Sequence, residues 1–161
     1  MLISTSRKPS QKTRKFCKNF SHATDSTSVN RGKMNMRELL LKALAEEEVN
    51  LAIVNEIKGN PSKITFYSNR GDELLSILIT VSISNERLNV SPSKLKIVSE
   101  VEQLNCLSDI MGYELVDDAE ENYIYISRED SDLIARINFI NKFGDKTDFQ
   151  INVKKILDKN D

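Results

Sequence analysis

Arg7, Lys8, Lys12, Arg14, Lys15 and Lys18 put six cations into twelve consecutive positions, and no carboxylate comes before Asp25. Arg31 and Lys33 follow, one on each side of Gly32. Such side chains bind anions: lysine as a compact point charge, arginine as a planar fork that bridges two phosphate oxygens or stacks on a base. Ser6 and Ser10 add hydroxyl donors, and Gly32 adds an amide on a backbone free to turn with positive φ. The candidate binding set is therefore Ser6, Arg7, Lys8, Ser10, Arg14, Lys15, Lys18, Arg31, Gly32 and Lys33.

Catalysis has much poorer material. His22 is the single histidine, and adjacency to Ser21 in sequence does not create a nucleophile–base pair; a polar helix-end residue is expected. Asp117, Asp118, Glu120 and Glu121 lack the glycine spacing of a calcium loop and read as a solvated acidic turn. Asn30-Arg31-Gly32-Lys33 is not a nucleotide P-loop, because the upstream glycine is missing and Met34 stands where Ser or Thr would hold magnesium. Cys17 and Cys106 belong to no CxxC unit and are expected to be reduced packing residues. No cofactor, no metal and no enzymatic activity are expected.

Charge is segregated along the chain. Residues 1–42 hold ten cations against Asp25 and Glu38, a surplus of eight; the rest holds 13 cations and 22 carboxylates, a deficit of nine, which together give the net −1. Segregation of this kind gives one strongly positive face and suits a polyanionic partner. The competing explanation is mutual neutralisation within the fold, but pairing of that sort is expected to intersperse the signs.

With 39% hydrophobic and 29% charged residues in 161, the chain suits one ordinary globular domain. The longest apolar-rich run, LLSILITVSIS (74–84), is broken by Ser and Thr and is too short to span a bilayer. Met-Leu-Ile leads straight into charge without a signal-peptide core, so a cytoplasmic protein is expected. On that basis the formal glycosylation sites at Asn19 and Asn89 are chance.

The elements that must position the cations follow an α/β alternation. LIST (2–5) is a short strand, and Ser10, just after Pro9, caps a helix whose apolar face is Thr13, Phe16, Cys17 and Phe20. Lys8, Gln11, Arg14, Lys15 and Lys18 then fall on the opposite side, where Arg14 and Lys18 repel at i,i+4. A short strand is expected at Val29, and Asn35 caps a second helix whose apolar positions are Met36, Leu39, Leu40, Ala43 and Leu44. Strands at VNLAIVNEI (49–57), SKITFYS (62–68) and residues 74–84 follow, joined by glycine turns. A connector with a short strand at LKIV (95–98) leads to a helix from about 100, set by Val101, Leu104, Leu107, Ser108 and Met111 and stopped by Gly112. Tyr113–Val116 and then YIYISR, DLIARINFI and TDFQINVKKI complete the strands. Helix plus three strands thus occurs twice, about seventy residues apart, in a basic half (1–90) and an acidic half (91–161) of one domain.

TSRKPSQKTRKF (5–16), then NRGK (30–33), then Leu39 and Ala43 in an amphipathic helix, with GNP (59–61) and ITF (64–66) downstream, resemble the Brix-domain or Imp4-like family of ribosome biogenesis factors in its compact archaeal form. The resemblance implies an α/β (α+β) fold of two similar halves, each a helix with mixed sheet like the anticodon-binding domain of class II aminoacyl-tRNA synthetases. It also implies an rRNA-binding factor of pre-rRNA processing and subunit assembly, with ribosomal RNA or pre-rRNA as partner. The acidic second half departs from this pattern, so no RNA-contacting role is carried over to it.

Phe16 and Phe20 belong to the apolar helix face, which leaves no evident base-stacking platform. Recognition is therefore expected through phosphates and shape. Two alternatives stand beside RNA binding: a module whose acidic half docks basic ribosomal proteins or assembly factors, and a nucleotide-using enzyme with Arg31-Gly32-Lys33 on the phosphates.

Overall fold

The computed structural model describes residues 1–158. It is an α/β fold of three α-helices on a ten-stranded mixed sheet. The chain runs β1 (Leu2–Thr5), α1 (Gln11–Ala23), β2 (Thr27–Ser28), α2 (Met36–Ala45), then β3 (Asn50–Ile57), β4 (Asn60–Ser68) and β5 (Glu73–Ser82). It continues through β6 (Lys96–Ser99), α3 (Leu107–Met111), β7 (Glu114–Leu115), β8 (Tyr123–Arg128), β9 (Ala135–Ile140) and β10 (Lys146–Leu157).

Across the sheet the order is β2-β1-β3-β4-β5-β10-β9-β8-β6-β7. β1 pairs in parallel with β2 and β3, just as β6 pairs in parallel with β7 and β8; the β3-β4-β5 and β8-β9-β10 meanders are antiparallel. The registers match as well. The row Thr5–Val54–Ile64–Ile77 has its counterpart in Ser99–Ile126–Ile137–Ile151. Antiparallel β5 and β10 join the two sets, with Ile79 opposite Val153.

Alternate residues of a strand face opposite sides of its sheet, and both sides are used here. Ile3, Ala52, Val54, Ile64 and Phe66 point toward α1, whose Phe16, Cys17 and Phe20 complete the main core. Leu2, Leu51 and Ile53 point the other way and are covered by Leu39 and Ala43 of α2. The 116–122 segment, between β7 and β8, contains no helix, so α2 has no counterpart there. Of the apolar positions expected on α2, Leu39 and Ala43 are buried while Leu44 is exposed, because only one stripe of so short a helix reaches the sheet.

The helix expected from residue 100 is broken. Glu102–Leu104 form a 3₁₀ turn, and only Leu107–Met111 is α-helical. The buried residues are Val101, Leu104, Leu107 and Ile110, spaced by three rather than by 3.6. That period fits the tighter 3₁₀ geometry, in which i and i+3 eclipse. Gly112 does end the helix, in the left-handed conformation at φ 75°. Cys17 is buried as expected, and desolvation pushes its thiol up to about 12; Cys106 is exposed and therefore does not pack in the core.

Four phenylalanines close the middle of the main core. Phe149 lies 5.7 Å from Phe16, 6.4 Å from Phe20 and 5.1 Å from Phe139, ring centre to ring centre. Because Phe149 comes from β10 and Phe16 and Phe20 from α1, this cluster ties the last strand to the first helix. Phe149→Ala is expected to cost about 3–5 kcal/mol, the usual loss for truncating a buried aromatic. Urea denaturation followed by circular dichroism measures it.

Candidate nucleic-acid interface

Helix α1 starts where sequence places it. Ser10 is the N-cap and accepts the Thr13 amide at 3.1 Å. The helix has no acid in its first turn, yet its positive end is compensated. The carboxylate comes from β3: Glu56 accepts the Ser10 amide on both oxygens, at 3.2 and 3.0 Å, and the Thr13 hydroxyl. These bonds, first Thr13's and then Ser10's, hold the Glu56 carboxyl below its ordinary pKa. The Ser10 hydroxyl donates to the Gly59 carbonyl at 2.7 Å. Both donors of Ser10 are thus engaged inside the fold, and the helix terminus already holds an anion.

Cations occupy the flank instead. A cleft of about 190 Å³ is lined by Thr5, Pro9, Arg14, Asn30, Arg31 and Gly32, with Cys17 and β2 also on its wall. The structure therefore brings Arg14 together with Arg31 and Gly32, which are far apart in sequence. Arg31 is clamped: its Nε donates to the Met34 carbonyl at 2.7 Å and its Nη1 to the Thr5 carbonyl at 2.8 Å. Burial first, and then the neighbouring charge of Arg7, lower its pKa from the ordinary value. Arginine keeps its proton at neutral pH regardless, so Arg7 and Arg31 face each other as like charges.

The remaining expected residues surround this cleft or extend from it. Arg7 and Lys8 are exposed in the β1–α1 turn, and Lys8 takes a left-handed φ of 54° that costs a non-glycine residue about 1–2 kcal/mol. Ser6 is half-buried, its amide donating to the Val54 carbonyl at 3.0 Å. Lys33 is exposed beside Gly32, whose φ is 54° and whose missing Cβ would meet only open space. Lys15 and Lys18 are exposed farther along α1. Lys12, outside the expected set, donates to Asn60 Oδ1 at 2.8 Å. Among the described residues, none of these cations forms an ion pair; the four pairs found there lie elsewhere.

Other candidates separate in space. Ser21 is buried with its hydroxyl on the Lys18 carbonyl, while His22 is exposed, so they form no catalytic pair. No group of three or more His, Cys, Asp or Glu is placed to hold a metal among the described residues. No helix among them is long and apolar enough to cross a membrane. Glu56 is the participant that sequence reasoning missed. Its one available signal was the absence of any acid in the first turn of a strongly cationic helix.

Three α-helices on a ten-stranded mixed sheet define an architectural class, and comparison with known proteins places the chain within it. No family model matches the sequence. A probable Brix domain-containing ribosomal biogenesis protein of Methanothermobacter thermautotrophicus is 30% identical over 154 residues, 96% of each chain. Its counterpart in Methanosarcina mazei is 32% identical over 149 residues, 91% of this chain and 86% of that one. The crystal structure of Mil, an archaeal Imp4-like protein, superposes with a TM-score of 0.85 at 27% identity over 98% of both chains. A probable ribosomal biogenesis protein from Aeropyrum pernix shares the fold at a TM-score of 0.75 and 22% identity, over 96% of this chain and 94% of that one. The chain belongs to the Brix-domain family of ribosome biogenesis proteins.

Glu56→Gln is expected to destabilise the protein at neutral pH by about 1 kcal/mol, the usual worth of a charged partner at a helix N-terminus. The folded-state pKa is depressed, so this contribution is present above the unfolded-state value and lost as pH falls through the folded one. The stability gap between parent and variant should therefore close in acid, as denaturation across a pH series would reveal.

Proposed function

We propose that this protein binds ribosomal RNA or its precursor in the cytoplasm during subunit assembly, and that the cationic flank of α1 with the Arg31–Lys33 turn carries the contact. The observation behind this is the set of cations lacking ion-pair partners: Arg7, Lys8, Arg14, Lys15, Lys18, Arg31 and Lys33 form no such pair among the described residues. Neutralisation within the fold, the competing explanation, requires carboxylates beside them. The nearby acid, Glu56, instead holds the helix end through Ser10 and Thr13. Phosphates then meet Arg14, Arg31 and the Gly32 region from the cleft side, with Arg7, Lys8 and Lys33 at its rim. Ser10 acts as scaffold.

The matched registers support reading the chain as two similar halves, 1–90 and 91–161, each of the kind seen in the anticodon-binding domain of class II aminoacyl-tRNA synthetases. One observation favours a second, compatible activity. Asp117, Asp118, Glu120 and Glu121 are all exposed and form no ion pair among the described residues, which suits docking of basic ribosomal proteins or assembly factors.

Salt titration of binding to a labelled rRNA fragment tests the RNA contact. Affinity should fall steeply with salt, and Arg14→Ala or Lys33→Ala should each reduce the log–log slope by about 0.7–0.9, one phosphate contact's worth. A flat salt response shared by parent and variants rules the contact out.

A further inference from the structure

Five of the six phenylalanines are buried; Phe143 is 67% exposed. It sits at the tip of the β9–β10 turn, on a backbone fixed from several sides. Asn141 Oδ1 accepts the amides of Phe143 and Asp145 at 2.9 and 3.0 Å, and the Gly144 amide donates to the Asn141 carbonyl at 3.0 Å. The Lys142 amide donates to the Asn89 carbonyl at 2.9 Å, which anchors the tip to the segment linking β5 and β6. The ring is thus held out to solvent by a preorganised turn.

Its surroundings carry both signs: Lys142, Arg87 and Lys94 stand near the tip together with Glu86 and Glu121, and Asp145 belongs to the same turn. Lys142 Nζ lies 5.3 Å from the Phe143 ring centre. Lys142 also borders two clefts. One, of about 410 Å³, is lined by Asn19, His22, Arg87 and Asn89, with Glu86 its one carboxylate. The other, of about 280 Å³, is lined by Ser91, Lys94, Lys96 and Asn122, with Glu121 its one carboxylate. Lys96 is paired with Glu114 at 2.9 Å, whereas Arg87, Lys94 and Lys142 form no ion pair among the described residues. In the second cleft Asn122 accepts the Ser91 amide at 2.7 Å and donates to the Ser91 carbonyl at 2.9 Å.

The first cleft also continues α1. Asn19 and His22 lie one turn beyond Lys15 and Lys18 on that helix, and Asn19 Oδ1 accepts the Ser84 amide at 2.8 Å. About 12 Å of helix α1, from Arg14 to His22, thus separates the Arg14–Arg31 cleft from this one, which Lys142 borders.

We propose that Phe143, with Lys142, Arg87 and Lys94, is a second RNA-contacting site that takes a single-stranded segment, one base stacking on the Phe143 ring and the adjoining phosphates lying on the three cations. This rests on the RNA binding proposed above and extends it from backbone contact to an unpaired stretch. An aromatic beside cations is the pairing that single strands need: every base has a face to stack, and duplex bases are not available for it. An exposed phenylalanine alone is ordinary. What sets this one apart is its display on a hydrogen-bonded turn beside Lys142, which borders both clefts.

The test uses the full chain with two labelled probes of equal length, single-stranded oligoadenylate and an RNA duplex. Phe143→Ala should weaken binding of the single strand about ten-fold, leave duplex binding and the salt slope unchanged, and melt like the parent. Phe143→Tyr should retain single-strand affinity. Lys142→Ala should lower the salt slope for the single strand. Ultraviolet crosslinking to the single strand should map to the peptide containing Phe143. Unchanged single-strand binding in Phe143→Ala, or equal weakening on both probes, overturns this site. If Arg14→Ala still lowers the duplex salt slope, the first contact survives that result. Absence of salt-dependent binding by the parent on both probes overturns both. Loss of binding to basic ribosomal proteins in Phe143→Ala, with RNA binding intact, makes the tip a protein contact and also overturns the proposal.

Discussion

Antiparallel pairing of β5 with β10 is the interaction on which the whole molecule depends. Each strand is the last of a three-stranded meander, and each would otherwise be an edge with a row of unsatisfied amides and carbonyls. Their ladder, with Ile79 opposite Val153, converts two half-sheets into one and places Phe149 under α1. It carries a bulge between Val153 and Lys155, which adds local twist at the seam. Since the α1 core face packs against both sets of strands, the orientation of the cationic flank is set by a contact between residues far from any cation. Asn50 of β3 ties the two sets of strands further, its buried Nδ2 donating to the Ile110 carbonyl of α3 at 2.7 Å.

The electrostatics of α1 follow from how its N-terminus is satisfied. A bare helix N-terminus attracts phosphate by itself. Here Glu56 occupies that position, and the cations of the flank stand without ion-pair partners among the described residues. The Arg31 clamp has a similar logic. Two of its donors stabilise the turn that presents Gly32 and Lys33, so the residue organises the cleft as well as lining it.

Much of this was legible in sequence because local rules coincided with tertiary demands. Ser10 and Asn35 are caps, the alternation in residues 75–83 is a half-buried strand, and Gly112 is a left-handed stop. Legibility failed where packing overrode a local signal. Val101, Leu104, Leu107 and Ile110 satisfy a helical template loosely and a three-residue period better, and the chain followed the latter. Leu44 looked apolar-facing, but it lies off the Leu39–Ala43 stripe that meets the sheet and is exposed. At the site, cations could be named from composition, whereas the cleft joining Arg14 to Arg31 could not, because it requires β1, α1 and the loop after β2 to converge. Glu56 was invisible for the same reason: it belongs to a strand whose end reaches the helix only in three dimensions. Phe143 was passed over because a turn residue has no periodicity by which to judge burial.

Strand β10 is the last to be synthesised of those described, yet it lies in the middle of the sheet, between β5 and β9. During translation, residues 1–82 can form α1, α2 and the β1–β5 ladders well before the β5 edge acquires its partner. Until then the chain carries an open strand edge and an incomplete aromatic core beneath α1, the condition that favours edge-to-edge association and slows folding through distant contacts. The cation-rich segment before Asp25 precedes strands β3 to β10 in the order of synthesis, and its excess positive charge is a source of like-charge repulsion between nascent copies during that interval. Charge segregated toward the earlier part of the chain thus bears on folding and solubility apart from any ligand.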